Sequence, residues 1–532
     1  MGPRLIVLGW DSATFDVVDP LVAEGRLPAL AALMGDGFRA PLRSTWPPMT
    51  DCAWTSAFTG HNAGRHGLFG SWYRAPGAYA CTYFSARDRL TPAVWGAEGD
   101  ARWLVWNVPM TFPPAPIEGV MVAGYGAPPG ARFCSPAGFQ EALADRRPLD
   151  DLVDRAPHGS LESFLDDLLR GLEAQAEALP WAIQESGADC ALAVWPHVDR
   201  AQHFFWRFRG TDHRLANAVD LVYEAMDEAT GIVRDRFPDA DVLVVSDHGA
   251  GALEGDVNLG SWFVETGRAV YGTRKPSPLL RTAWALPPKV RRRARRMAPG
   301  AARRAMGATL TGQLGAFDWG ATRAFAGFHS DVWVNLEGRE PAGTVSEVEA
   351  DGFVDELRTE LLSIEDPRSG KRVFAGAHRR AELFSGPAAH LAPDLMLDSW
   401  GAGYRVAPGR EASDTVIAPA PLAGVGEPWS ADHRPVGIWV GAGPHIARGR
   451  GRELSLLDVA PTVLALLERP VPEGLDGEVA IPAIDAGWLE RHPVRWNTSS
   501  TQARAGGDRT GELSGEEAAA VASHLKSLGY IE

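Results

Sequence analysis

The chain is poor in cysteine. It has four in 532 residues, Cys52, Cys81, Cys134 and Cys190, far apart and with no CxxC pair. That spacing excludes a zinc-ribbon pattern and a disulfide framework, and it fits a reducing compartment. Long hydrophobic runs are also missing: no stretch approaches the roughly 18 uninterrupted apolar residues of a membrane span. The first apolar run, Leu5 to Leu8, is too short for the core of a signal peptide, and Asp11 follows closely. Positive charge is in deficit. A net charge of −15 argues against general nucleic-acid binding. The expectation is a soluble, cytoplasmic protein with no transmembrane segment.

A hydrophobic content of 45% and a charged content of 22% are those of an ordinary globular protein. The length calls for two to four domains, or one large α/β domain with insertions. Short apolar runs at 5–9, 102–109, 119–125, 190–196, 241–247 and 436–443 read as strands of a parallel sheet buried on both faces. Helical patterns separate them. The clearest spans 160–186, with Leu161, Leu165, Leu168 and Leu172 at helical intervals. Alternating strands and helices predict an α/β sandwich with a mostly parallel central sheet. There are no internal repeats. Residues 1–490 are read as one catalytic domain carrying an inserted cap at about 260–330, and 491–532 as a partly disordered linker and C-terminal helix. Residues 274–304 hold eleven basic residues and no acid, read as a solvated helix on the cap. The C-terminal stripe of Val521, Leu525 and Leu528 would dock on the body or on a second subunit, so a homo-oligomer stays open.

Open α/β sheets bind ligands at the carboxyl ends of their strands. Asp11 follows the first run, Asp199 and His203 follow "CALAVW", and Asp247 and His248 follow "DVLVV". His433 precedes the run at 436–443, so the fold must place its loop. A lone strand-end Asp is usually a helix cap, and a lone His a hydrogen-bonded core or surface residue. The set says more. Asp199 and His203, four apart, share a helix face, and carboxylate with imidazole suits Zn²⁺ while tolerating Mn²⁺ or Fe²⁺. Six ligands exceed one tetrahedral site and suit two metals sharing a phosphoryl substrate.

A nucleophile candidate stands in "STWPPMTDCAWTSAFTG". Pro47 and Pro48 stiffen the approach, and Thr50 opens a helix whose free N–H groups and positive dipole end favour a phosphoryl group. Its hydroxyl needs a metal to ionise it at neutral pH.

This order of residues resembles the alkaline phosphatase superfamily, in its type I phosphodiesterase/nucleotide pyrophosphatase branch. The family order of Asp, Thr, Asp, His four later, an Asp-His pair and a late His is filled by Asp11, Thr50, Asp199, His203, Asp247, His248 and His433. "TGHNAGRHGLFG", "WNVPMTFPP" and "LLDVAPTVLALLERPVPEGLDG" are similar to stretches of bacterial members. The resemblance implies an alkaline-phosphatase-like α/β/α sandwich with an inserted cap. It implies one divalent ion, zinc first, on Asp199, His203 and His433, and another on Asp11, Asp247, His248 and the Thr50 oxygen. Thr50 would attack phosphorus in a small phosphate ester, forming a phospho-threonine that water then hydrolyses.

The chain also departs from the pattern. "DCAWTS" after Thr50 lacks the Asn that binds a phosphoryl oxygen in eukaryotic relatives. Asn107 is the substitute candidate for substrate binding, or else it makes a turn before Pro109. The formylglycine motif of sulfatases is absent, and phosphoglycerate mutases use Ser with manganese. His66 is read as structural. Asp432 is read either as the group that orients His433 or as a solvated acid. Two alternatives stay open: a phosphomonoesterase or mutase-like phosphotransferase, for which Arg65 and Arg200 are charge candidates, and a non-catalytic metal-binding homologue.

Overall fold

The computed structural model describes residues 2–497, apart from 71, 75–76, 80, 98–99, 125, 129, 145–159, 273–316, 328–329, 408–414 and 421–428. The basic segment at 274–304 and the C-terminal stripe lie outside the described residues. The strands that build the site are β1 (Leu5–Trp10), β2 (Phe38–Arg43), β3 (Trp103–Trp106), β4 (Gly119–Val122), β5 (Cys134–Ser135), β6 (Cys190–Trp195), β7 (Asp241–Val245), β8 (Gly249–Ala252), β9 (Ala431–Arg434) and β10 (Val436–Ala442). The central sheet runs β2–β10–β7–β1–β6–β3–β4–β5, and two short segments, Gly449–Arg450 and Leu454–Ser455, also pair with β2.

β7, β1, β6, β3 and β4 are parallel in sequence of pairing. β10 is antiparallel to both β2 and β7, which corrects the parallel assignment of 436–443. The reason is directional. His433 must stand at the carboxyl ends of the parallel strands, so the chain leaving it runs down the sheet against them.

Alternation along β1 sends Leu5 and Val7 into one core, and Ile6, Leu8 and Trp10 into the other. Helices α1 (Thr50–Thr59), α2 (Leu161–Ser186), α3 (His197–Phe205) and α4 (Ala218–Arg236) cover the two faces. The four leucines of α2 are buried together with the α4 residues Val222 and Met226 against the Ile6 face. Ser160 caps α2 by accepting from the Ser163 N–H, and Gly187 ends it at φ +60°. On the other face lie α1 and the helix Val459–Leu466. The result is an α/β/α sandwich.

A second core gathers Val257, Phe263, Val332, Leu357, Leu395 and Val406. Its antiparallel sheet orders Ala324–Ala326, Asp331–Val334, Leu395–Leu397 and Ala377–Arg379. The expected insertion at about 260–330 falls partly outside the described residues. Its described remainder belongs to this core, which continues to Val406. Phe384 and Trp400 of this lobe pack against Cys52, with Trp46 and Met49 at the edge, so the lobe abuts the start of α1. Among the described residues, no helix is long and apolar enough to cross a membrane.

Candidate metal centre

Three central strands deliver charge to one end of the sheet. β1 stops at Asp11, β7 at Asp247 and His248, and β6 leads through Pro196 into α3 with Asp199 and His203. His433 arrives on the antiparallel ribbon β8–β9, where it faces Ala250. Thr50 is the first residue of α1. All seven side chains are at most 2% exposed.

The imidazoles are oriented alike. His203 Nδ1 lies 2.9 Å from the Ala431 carbonyl, His433 Nδ1 2.8 Å from the Pro48 carbonyl, and His248 Nδ1 3.1 Å from the Gly249 carbonyl. A carbonyl only accepts, so each Nδ1 carries a proton and each Nε2 faces the centre. Asp199 Oδ1 lies 3.1 Å from His203 Nε2 and 3.5 Å from His433 Nε2. His248 Nε2 lies 3.2 Å from Asp247 Oδ2 and 3.7 Å from Asp11 Oδ1. Two clusters form, with ligand atoms within 4.8 Å of one another: Asp199, His203 and His433, and Asp11, Asp199 and His248. Asp199 belongs to both.

Six buried atoms here have no hydrogen-bond partner: Asp11 Oδ1, both oxygens of Asp199, Asp247 Oδ2, and Nε2 of His203 and of His433. Left without partners, each would carry a desolvation penalty of about 1–3 kcal/mol or more. Electrostatics agrees. Burial, then repulsion from Asp199, pushes Asp11 up to about 8. Burial and Asp11 hold Asp247 well above the ordinary carboxylate range. Burial also raises Asp199, but His203 and His433 outweigh it and hold it well below that range. A divalent cation relieves both problems, neutralising the carboxylates and engaging the orphaned donors. The oxygen and nitrogen donor set fits such ions.

Thr50 Oγ1 lies 3.5 Å from His248 Nε2. Its helix has no side-chain cap, because the capping position is Met49, so the first-turn N–H groups have no side-chain acceptor there.

Asn107 is fully buried at φ +54°, and its Nδ2 donates to the Val194 carbonyl at 2.9 Å. Its amide is thus tied to the neighbouring strand. His66 lies in the core, accepting from the Leu68 N–H at its Nδ1 and meeting Ser56 Oγ at 2.9 Å. Asp432 does not orient the His433 ring. It accepts from the His433 backbone N–H, and Pro48 holds the ring instead. Arg65 is engaged by Asp476 at 3.1 Å and by the Gly474 carbonyl.

Sequence reasoning missed two neighbours of the site. Trp54 Nε1 donates to Asp11 Oδ2 at 3.1 Å. The signal was present: Trp54 lies one helical turn after Thr50. Trp429 stacks on His203, with centroids 3.7 Å apart, and nothing local in the sequence announces it.

A family model described as type I phosphodiesterase / nucleotide pyrophosphatase matches residues 5–413. No curated protein matches the chain. Similar solved structures include the murine ectonucleotide pyrophosphatase / phosphodiesterase 5 in an inactive form in complex with AMP. It is 10% identical, covers 91% of this chain and 100% of that one, and has a TM-score of 0.47. The human protein of the same name is 11% identical at the same coverage, with a TM-score of 0.46.

Proposed function

Because the chain belongs to the type I phosphodiesterase/nucleotide pyrophosphatase family, we propose that it uses Thr50 as the nucleophile of a two-zinc phosphodiesterase or pyrophosphatase site. It is a hydrolase of that family's type. The observation that carries the finer reading is the convergence of six orphaned buried donor atoms on the end of the sheet where α1 presents Thr50.

Asp199, His203 and His433 would hold one ion, and Asp11, Asp247, His248 and the Thr50 oxygen the other. Zinc suits this donor set, with manganese and ferrous iron as the alternatives. When bound, the ions supply Lewis-acid charge that favours the ionised Thr50 hydroxyl and neutralises phosphoryl oxygens. The protein supplies the rest. The first-turn N–H groups of α1, which have no side-chain cap, would donate to a phosphoryl oxygen. Thr50 Oγ1 bonds to phosphorus as the ester bond to the leaving oxygen breaks. Water then displaces Thr50, whose hydroxyl returns.

Diester and pyrophosphate substrates are favoured over monoesters. The family model is that of phosphodiesterases and nucleotide pyrophosphatases; of the two charge candidates for a monoester, Arg65 is committed to Asp476, while Arg200 is buried on α3 near enough to the centre to lower Asp11. The test is turnover of bis-p-nitrophenyl phosphate against p-nitrophenyl phosphate by zinc-loaded protein, with Thr50→Ala as control. A diester preference that vanishes in the variant supports the proposal. Full turnover by Thr50→Ala removes Thr50 as nucleophile, and a monoester preference moves the assignment to a phosphatase.

A further inference from the structure

Ser12, directly after Asp11, holds φ at +68°, a left-handed conformation that residues with a Cβ seldom adopt. It is buried, so the turn must be held by its neighbours. In this conformation its N–H donates to Asp247 Oδ1 at 3.2 Å, and Asp247 Oδ2 is left partnerless beside His248 Nε2. Gln202 stands against the turn, on α3 between Asp199 and His203, and is also buried. Its Nε2 donates to the Ser12 carbonyl at 2.9 Å and to Ser12 Oγ at 3.2 Å. Its Oε1 accepts from the Tyr223 hydroxyl at 3.2 Å, which itself accepts from the Thr14 N–H. Ser12 Oγ passes the chain on by donating to the Gly249 carbonyl at 3.3 Å.

We infer that Gln202 is a positioning residue that clamps the left-handed Ser12 turn and, through the Ser12 N–H, aims Asp247 at the centre. The carboxamide is suited to this. Both hydrogens of its amide nitrogen are used on Ser12, and its oxygen is fixed by Tyr223. One side chain thereby joins the segments that carry Asp11, Asp247 and the Asp199–His203 pair. Outer groups that orient ligands in this way are worth about 10–100-fold in metal affinity. The inference rests on the proposed metal reading, and it assigns the effect to the ion nearest Thr50.

The test titrates Zn²⁺ into metal-free full-length protein against a chromogenic chelator, with melting temperatures recorded alongside. Wild type is expected to bind two ions. Gln202→Ala should bind one of them at least about tenfold more weakly, with kcat falling more than KM rises. Gln202→Glu is nearly isosteric and keeps the acceptor for Tyr223, but loses the donors to Ser12. It should show the same loss while remaining folded. Adding Ser12→Gly to Gln202→Ala should recover most of the affinity, because glycine takes φ +68° without strain. Two ions bound equally well by wild type, Gln202→Ala and Gln202→Glu would overturn the inference alone. A double variant no better than Gln202→Ala would overturn the clamp. Wild type that binds no zinc would overturn the metal reading and the inference with it.

Discussion

The Pro48 carbonyl accepts a 2.8 Å hydrogen bond from His433 Nδ1, across 385 residues of sequence. The stretch that leads to Thr50 and the last histidine of the centre are therefore one mechanical unit. His433→Ala should remove a ligand and also release the approach to Thr50. Metal content is expected to fall from two ions to one, and turnover to fall by more than the roughly 10–100-fold typical of losing an outer partner. Added imidazole should restore metal content more fully than turnover, because it cannot rebuild the tie to Pro48. Equal rescue of both would show that the tie is incidental.

Trp54 donates its Nε1–H to Asp11 Oδ2 at 3.1 Å. Trp54→Phe keeps the stack on Phe58, now at 5.7 Å and 17°, but deletes that one N–H. In chelator-treated protein the loss should be about 1–3 kcal/mol by urea unfolding. It should shrink once a cation takes over the Asp11 oxygens. The same packing explains Gly9, where a Cβ would lie 2.4 Å from the Trp54 ring. Gly9→Ala should displace the indole and reproduce the Trp54→Phe effect with an added packing cost.

The strand-end candidates were legible as a set: a single acid after a buried strand is usually a helix cap, but Asp11, Asp199 with His203, and Asp247 with His248 all follow strands of one sheet. Their supports were harder to read. Helical spacing places Trp54 one turn after Thr50, but its reach to Asp11 spans 43 residues, while Gln202 reaches Ser12 across 190 and Pro48 reaches His433 across 385, and no local pattern encodes those last two pairings. The direction of β10 was missed for a related reason. A short apolar run buried on both faces looks the same whether its neighbours are parallel or antiparallel. The second lobe's core is assembled from distant pieces, Val257 at one end and Val406 at the other, so no single stretch of sequence announces it.

His66 makes stability depend on pH. Its Nδ1 accepts from the Leu68 N–H, so Nε2 carries the hydrogen that meets Ser56 Oγ, and the ring is neutral in the fold. Burial, then His61 and Arg89, push it down to about 3. The unfolded chain takes up the proton near the ordinary value of 6.5, while the folded chain refuses it until about 3. The stabilisation is therefore complete above 6.5 and is lost as pH falls through that window, by up to about 1.4 kcal/mol per pH unit. Urea midpoints of wild type and His66→Gln at neutral pH and near pH 5 measure it. The wild type should lose more than the variant, and parallel losses would assign the acid sensitivity to other groups.

Arg74 and Glu340 fasten the hairpin Trp72–Arg74/Cys81–Tyr83 to the second lobe. The guanidinium grips both Glu340 oxygens, the carboxylate is fully buried, and Trp333 lies 4.2 Å beneath the charge. Nearby, Tyr79 stacks on Trp319 at 3.6 Å and donates to Asn335 Oδ1 at 2.7 Å. Arg339 shares Glu340, with Nε 2.7 Å from Oε1, and this makes the two halves of the pair unequal. Arg74→Met leaves Glu340 still paired with Arg339. Glu340→Gln strands the Arg74 guanidinium, whose side chain is 6% exposed, and leaves the part-exposed Arg339 with Asp394, which it already shares with Arg380. Breaking a buried pair so as to strand charge costs about 3–5 kcal/mol. Glu340→Gln should approach that figure in denaturant unfolding, and Arg74→Met should fall clearly below it. Limited proteolysis should then cut the Glu340→Gln protein first at the hairpin or in the lobe. If Arg74→Met proved the more damaging change, Arg339 would not be compensating, and the docking would rest on Arg74 alone.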